Sequence, residues 1–199
     1  MKREQLGIVD AVAMPVPQAN VDTDQIVPAR YLQKPRSADF GEFLFQDVRT
    51  RKDGSADPAF PLVRPEYREA RIVVGGRNFG CGSSREHAVW ALYDYGFRVA
   101  IAPAFGDIFR SNAIKNGLLP IVLPEAEVEA LLDWLQAEPG ARLCVDLEAQ
   151  TVALPGGGTA AFDIDPFSKR CLREGLDELG YTLSLAAQIA QFERNHESP

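Results

Sequence analysis

Gly75-Gly76-Arg77-Asn78-Phe79-Gly80-Cys81-Gly82-Ser83-Ser84-Arg85-Glu86-His87 is the stretch on which the reading of this chain turns. Four glycines fall within eight residues, followed by two serines, an arginine, a glutamate and a histidine. Just before it, Arg71-Ile72-Val73-Val74 is a short β-branched run suited to a buried strand. Just after it, Ala88, Val89, Ala91, Leu92 and Tyr95 recur at helical spacing, predicting a helix over residues 84–95 that Gly96 ends. The order is therefore strand, glycine loop, helix N-terminus. Such a junction gathers free backbone N–H groups and the positive end of a helix dipole, a setting for an anion, and Arg85 adds a fixed charge.

Common loop motifs do not fit. The dinucleotide fingerprint needs a glycine where Arg85 stands, and the phosphate loop needs a Gly-Lys-Ser/Thr that is missing. A nucleophile elbow needs glycines two residues either side of its serine, which neither Ser83 nor Ser84 has. Cys81 has no near neighbour for a Cys-x-x-Cys site. Two readings of Ser83 stay open. With Glu86 three residues on it could form a capping box, or it could carry chemistry; capping alone does not require Gly80, Gly82, a second serine and Arg85 together.

The same alternation continues downstream. Residues 98–102 and 119–123 read as buried strands. Residues 105–116 read as a helix with Phe105, Ile108, Phe109 and Ala113 inward and Gly117 as its stop. After Pro124 a further helix carries Val128, Leu131, Leu132 and Leu135 on one stripe. Strand–helix repeats of this kind argue an α/β fold, a parallel sheet flanked by helices. Beyond Pro139-Gly140 the pattern changes to short strands over 142–146, 151–154 and 159–164, an additional β-rich part. Asp165-Pro166 then reads as N-cap and first helical residue, opening a helix with Phe167, Cys171 and Leu172 inward. Leu185, Ile189 and Phe192 mark a last helical stripe. Near the N-terminus, residues 8–14 suggest a strand closed off by Pro15 and Pro17. Residues 31–70 are irregular, broken by prolines, with Phe40, Phe43, Leu44 and Phe45 as one apolar patch.

The string Gly-Cys-Gly-Ser-Ser-Arg-Glu-His resembles the signature of the aconitase superfamily's swivelling domain, and more narrowly the small subunits of 3-isopropylmalate dehydratase. Two further blocks carry the resemblance, Asn20-Val21-Asp22-Thr23-Asp24-Gln25-Ile26-Val27-Pro28 and Ser111-Asn112 with Lys115-Asn116-Gly117-Leu118-Leu119-Pro120-Ile121. The match runs from about residue 8 to 192. It implies a single swivelling β/β/α domain over residues 1–199. The implied reaction removes water from 2-isopropylmalate and returns it to give 3-isopropylmalate, in leucine biosynthesis. It implies Ser83 as the base, with substrate contacts from Ser84, Arg85, Arg36, Asp24, Leu32 and Gly82; the loop of residues 31–36 would select the substrate's side chain, and Cys81 would line the pocket. Alternatives stay open at several of these. Asp22 and Asp24 both suit turns; Arg36 is a carboxylate fork or a solvated loop arginine; Asn112 is a core amide or a brace for the glycine loop; His87 is structural or a partner contact.

The resemblance also implies a [4Fe-4S] cluster. Cluster ligation takes about three closely placed cysteines, and Cys81, Cys144 and Cys171 are far apart in sequence. No metal ligand is assigned to this chain, and a large subunit is expected to bring the cluster, with this chain closing over it. A net charge of −7 argues against nucleic acid or an anionic membrane as partner. The odd, scattered cysteines and the lack of a long apolar segment suggest a cytoplasmic protein. Related hydro-lyases of citraconate or homoaconitate type, and a non-catalytic anion-binding module, are the competing readings.

Overall fold

The computed structural model describes residues 3–36 and 40–196; residues 37–39, inside the irregular stretch, lie outside it. One seven-stranded sheet organises the chain, in the order β4-β3-β2-β1-β5-β6-β7. Its strands are β1 Ile8–Val16, β2 Ile72–Gly75, β3 Val99–Ala102, β4 Leu119–Val122, β5 Arg142–Asp146, β6 Thr151–Ala153 and β7 Thr159–Ala161. The helices are α1 Thr23–Ile26, α2 Glu86–Tyr95, α3 Asp107–Asn116, α4 Glu125–Ala137, α5 Pro166–Glu174, α6 Glu178–Ser184 and α7 Ala186–His196.

β1 is the pivot of the sheet. It runs parallel to β2, with Ala13 opposite Ile72, and antiparallel to β5, with Val9 opposite Val145. The expected parallel strands (β2 to β4) and the expected β-rich part (β5 to β7) are thus joined through β1 into one mixed sheet. Pro15, expected to close the first strand, lies inside it opposite Val74. The carbonyls of Val12 and Val16 face β2, so residue 15 faces the other side, beyond Arg142 where β5 pairing stops. There a missing N–H costs no ladder bond. Pro120 is tolerated for the same reason, on edge strand β4.

Both faces of the parallel half are covered, so its strands are apolar on both sides. On one face Met14, Val73 and Ala100 pack against Ala88, Val89 and Leu92 of α2, Phe109 and Ala113 of α3, and the patch of Phe40, Leu44 and Phe45. On the other, Ile72, Val74 and Ile101 meet Val128, Leu131 and Leu135 of α4. The Asp165 cap forms as expected, its carboxylate accepting from the Ser168 amide at 2.9 Å.

Two inward assignments are corrected. Ile108 is 51% exposed, because Phe109 and Ala113 set the buried stripe of α3 and residue 108 lies a third of a turn off it. Phe167 is exposed and rests edge-on against Tyr181, 4.7 Å between centroids. The last apolar stripe is not buried: neither α6, which the sequence did not reveal, nor α7 contains a buried residue, and Leu179, Leu183, Ile189 and Phe192 are exposed. Among the described residues no helix is long and apolar enough to cross a membrane.

Candidate active site

The glycine loop and the first sequence block meet at the C-terminal end of β2. The Gly80 amide donates to Val21 O at 2.7 Å and the Thr23 amide to Cys81 O at 2.9 Å, fastening the glycine loop to the first block. On its other side the Phe79 amide donates to Ala104 O and the Gly106 amide to Phe79 O, both at 3.0 Å. Gly80 has no substitute here: its φ is +72°, and a Cβ would stand 2.3 Å from Cγ of Phe109. Gly82 is also left-handed, at +91°, yet a Cβ there would meet nothing closer than 3.4 Å.

Of the two readings left open for Ser83, the capping box with Glu86 does not form. α2 begins at Glu86, two residues later than its periodicity suggests, its N-cap is Arg85, and no side chain caps it. The Glu86 carboxylate instead accepts from Asn116 Nδ2 at 2.7 Å. Ser83 is exposed. Its carbonyl accepts from Thr23 Oγ1 at 3.0 Å and from the Arg85 amide at 2.8 Å, while its hydroxyl has no hydrogen-bond partner among the described residues. The α2 terminus therefore keeps its first amides and dipole open beside a free hydroxyl. Ser84 and Gly82 are exposed on the same turn.

A capping box does form on α1, and it separates the two aspartates. Asp22 Oδ1 accepts from the Gln25 amide at 2.7 Å, and Gln25 Oε1 accepts from the Asp22 amide at 3.1 Å. Asp24 instead turns to the glycine loop and pairs with Nη1 of Arg85. Arg85 is mostly covered, 17% exposed, and among the described residues the rest of its fork has no partner. Cys81 sits beside this turn as a neutral thiol. Burial, and then the nearby Asp22 carboxylate, push its pKa up.

Leu32 and Arg36 are not hydrogen-bonded to the Ser83–Arg85 turn. Leu32 is half-buried, its amide donating to Ala29 O at 3.1 Å. The fork expected to be free in Arg36 is filled: Nε and Nη2 donate to the two oxygens of Asp94, at 3.1 and 2.9 Å. Asn116, not Asn112, is the buried amide, and nothing in the sequence beyond a polar residue before a helix-stopping glycine marks it. His87 packs between Trp90 and Phe40, at 4.4 and 5.8 Å. Cys81 is on the glycine loop, Cys144 on β5 and Cys171 on α5, all free. Among the described residues no group of three or more His, Cys, Asp or Glu side chains is arranged to hold a metal ion.

An anion-ready turn between a parallel strand and an uncapped helix, on a curled mixed sheet, defines the class. The aconitase C-terminal domain profile matches residues 4–126, placing the chain among the swivelling domains of that superfamily, and the LeuD_N profile matches residues 129–166. Curated relatives narrow this further. The 3-isopropylmalate dehydratase small subunit of Parvibaculum lavamentivorans is 50% identical over 194 residues, covering 98% of this chain and 96% of its own length. Those of Dinoroseobacter shibae and Chloroflexus aurantiacus are 47% and 46% identical, covering 96% and 98% of this chain and 94% and 98% of their own lengths. The crystal structure of 3-isopropylmalate dehydratase from Methanocaldococcus jannaschii superposes with a TM-score of 0.69 at 26% identity, covering 94% of this chain and 99% of that one. The chain belongs to the family of 3-isopropylmalate dehydratase small subunits.

Proposed function

We propose that this chain is the subunit of a cytoplasmic hydro-lyase that closes over 2-isopropylmalate. The enzyme interconverts that acid with 3-isopropylmalate, by loss and return of water, in leucine biosynthesis. The observation that carries the reading is the free Ser83 hydroxyl beside Arg85, whose fork is only partly taken by Asp24.

In this reading Ser83 takes the proton from the carbon beside a substrate carboxylate. A serine oxygen is a weak base unless its negative charge is stabilised by donors already in place. The open amides at the start of α2, its dipole and Arg85 supply that stabilisation. The unpaired part of the Arg85 fork takes a substrate carboxylate, Ser84 donates a further hydrogen bond to it, and Gly82 lets the substrate come close to the backbone. Asp24 holds Arg85 in place, and Leu32 meets the substrate's apolar side chain. The described donors of this chain do not fit an iron–sulfur cluster; that cofactor is assigned to the large subunit, and the exposed turn is the half of the site that the large subunit completes.

The test mixes this chain anaerobically with a cluster-loaded large subunit from the same source and follows the ultraviolet absorbance of the unsaturated intermediate. Turnover of 3-isopropylmalate only when both chains are present is expected. Turnover of citraconate or homoaconitate instead would move the substrate and keep the mechanism. A formed complex inactive on all three would overturn the catalytic reading in favour of an anion-binding module.

A further inference from the structure

Arg36 ends the loop that follows the first sequence block, and each of its three guanidinium nitrogens donates a hydrogen bond within the chain. Besides the two bonds to Asp94, Nη1 donates to Asn116 Oδ1 at 2.9 Å, and the group lies over the rings of Trp90 and Tyr93, 5.4 and 5.9 Å from their centroids. Asp94 is 13% exposed, so loss of this partner would leave a largely covered carboxylate unpaired. Asn116 passes the contact on. Its amide nitrogen donates to Glu86 Oε1 at 2.7 Å and to Asn112 O at 2.9 Å, and Glu86 is the first residue of α2, next to Arg85.

The start of the same loop is fastened to the same helix by rings. Tyr31 stacks on Phe43 with centroids 4.1 Å apart, Phe43 meets Phe40 edge-on at 5.3 Å, and Phe40 meets Trp90 and His87, each at 5.8 Å. Residues 31 and 36 thus both answer to α2, whose N-terminus directly follows the Ser83–Arg85 turn.

The geometry points to Arg36 as a positioning residue. It latches the 31–36 loop to α2 through Asp94, and to the start of α2 through Asn116 and Glu86, holding the loop in register with the Ser83–Arg85 turn. It does not bind the substrate carboxylate. The role as a register for substrate selection rests on the reading of 31–36 as the substrate-selecting loop. The latch itself rests only on the contacts above. A planar fork suits the task, since two parallel bonds fix direction as well as distance, and a lysine offers only a point charge.

A double-mutant cycle tests this with two readouts. Hydrogen exchange on the isolated full-length chain follows the amides of Leu32 and Lys34, which donate to Ala29 O and Tyr31 O. Kinetics with the large subunit follow kcat and KM. A latch requires Arg36→Ala, Arg36→Lys and Asp94→Asn each to speed loop exchange and to lower kcat/KM by roughly tenfold, with the Arg36→Ala/Asp94→Asn double variant within about twofold of either single one. Unchanged loop exchange in Asp94→Asn, with KM raised only in the Arg36 variants, would overturn the latch and return Arg36 to the substrate. The exchange arm needs no turnover. A wild-type mixture inactive on isopropylmalate would count against the proposed reaction, while loop exchange would still decide the latch.

Discussion

Arg85 and Asp24 stand 61 positions apart in the chain and are joined by an ion pair that ties the N-cap of α2 to the first turn of α1. The pair uses one corner of the guanidinium, so it sets the arginine's direction and leaves donors for another carboxylate. Asp24 is half exposed, and pairs of this kind contribute little to folding. Asp24→Ala should therefore change stability by less than about 1 kcal/mol. It should lower kcat/KM by roughly 10- to 100-fold, because a misplaced anchor spoils the approach of the reacting atoms. Urea unfolding together with steady-state kinetics in the presence of the large subunit checks both halves.

Ser83 makes no cap, so its hydroxyl does not support the helix. Ser83→Ala should unfold within about 0.5 kcal/mol of the wild type, as surface changes without a lost contact do. Loss of a proton-transfer group should reduce turnover by roughly 100- to 10,000-fold. A drop of about 1 kcal/mol in stability with full activity would instead restore the capping role.

The two left-handed glycines of the loop should respond differently to the same change. Gly80→Ala adds a clash with Phe109 to the backbone strain and should cost about 2–4 kcal/mol. Gly82→Ala would make only ordinary contact, 3.4 Å from Cβ of Asp22, and carries the backbone term alone, about 1–2 kcal/mol. Chemical denaturation of both variants side by side measures the difference.

Asp165, at the start of α5, offers a pH-dependent handle outside the Ser83–Arg85 turn. The Ser168 hydroxyl first, and then the Ser168 amide, hold its carboxyl below the ordinary 3.8. A depressed folded-state pKa means that the cap's contribution is present above the unfolded value and is lost as pH falls through the folded one. Asp165→Ala should cost about 1 kcal/mol at neutral pH. The gap between variant and wild type should close as the pH drops below about 4, which thermal melts at stepped pH will show.

The repeat of buried strand and amphipathic helix from Val73 to Leu135 was legible because each element's period announces itself within a few residues. Asp165 was legible as a cap because a proline follows it. The glycine loop stood out by its density of special residues. Side-chain partnerships across the fold were less accessible. Ser83 and Glu86 have the spacing of a capping box, yet Asn116, thirty positions away, takes the glutamate. Arg36 looked available because Asp94 lies 58 residues on. Periodicity likewise located an apolar face on α7 but said nothing of what covers it, and within this chain Ile189 and Phe192 stay exposed. Local order is written locally, and long-range pairing depends on where the backbone brings unrelated segments.

The position of β1 has a consequence for how the chain is made. The first strand in chain order among the described residues is the middle strand of the finished sheet, and its parallel neighbour starts at Ile72 and its antiparallel one at Arg142. Until those segments have been synthesised, Ile8–Val16 is an apolar strand with both edges bare, the kind of segment that pairs with other chains. Closing contacts over such separations is slow. The centre of the sheet is therefore begun with β1 and completed only once β5 has followed, and in the interval both edges of an apolar strand are open to other chains.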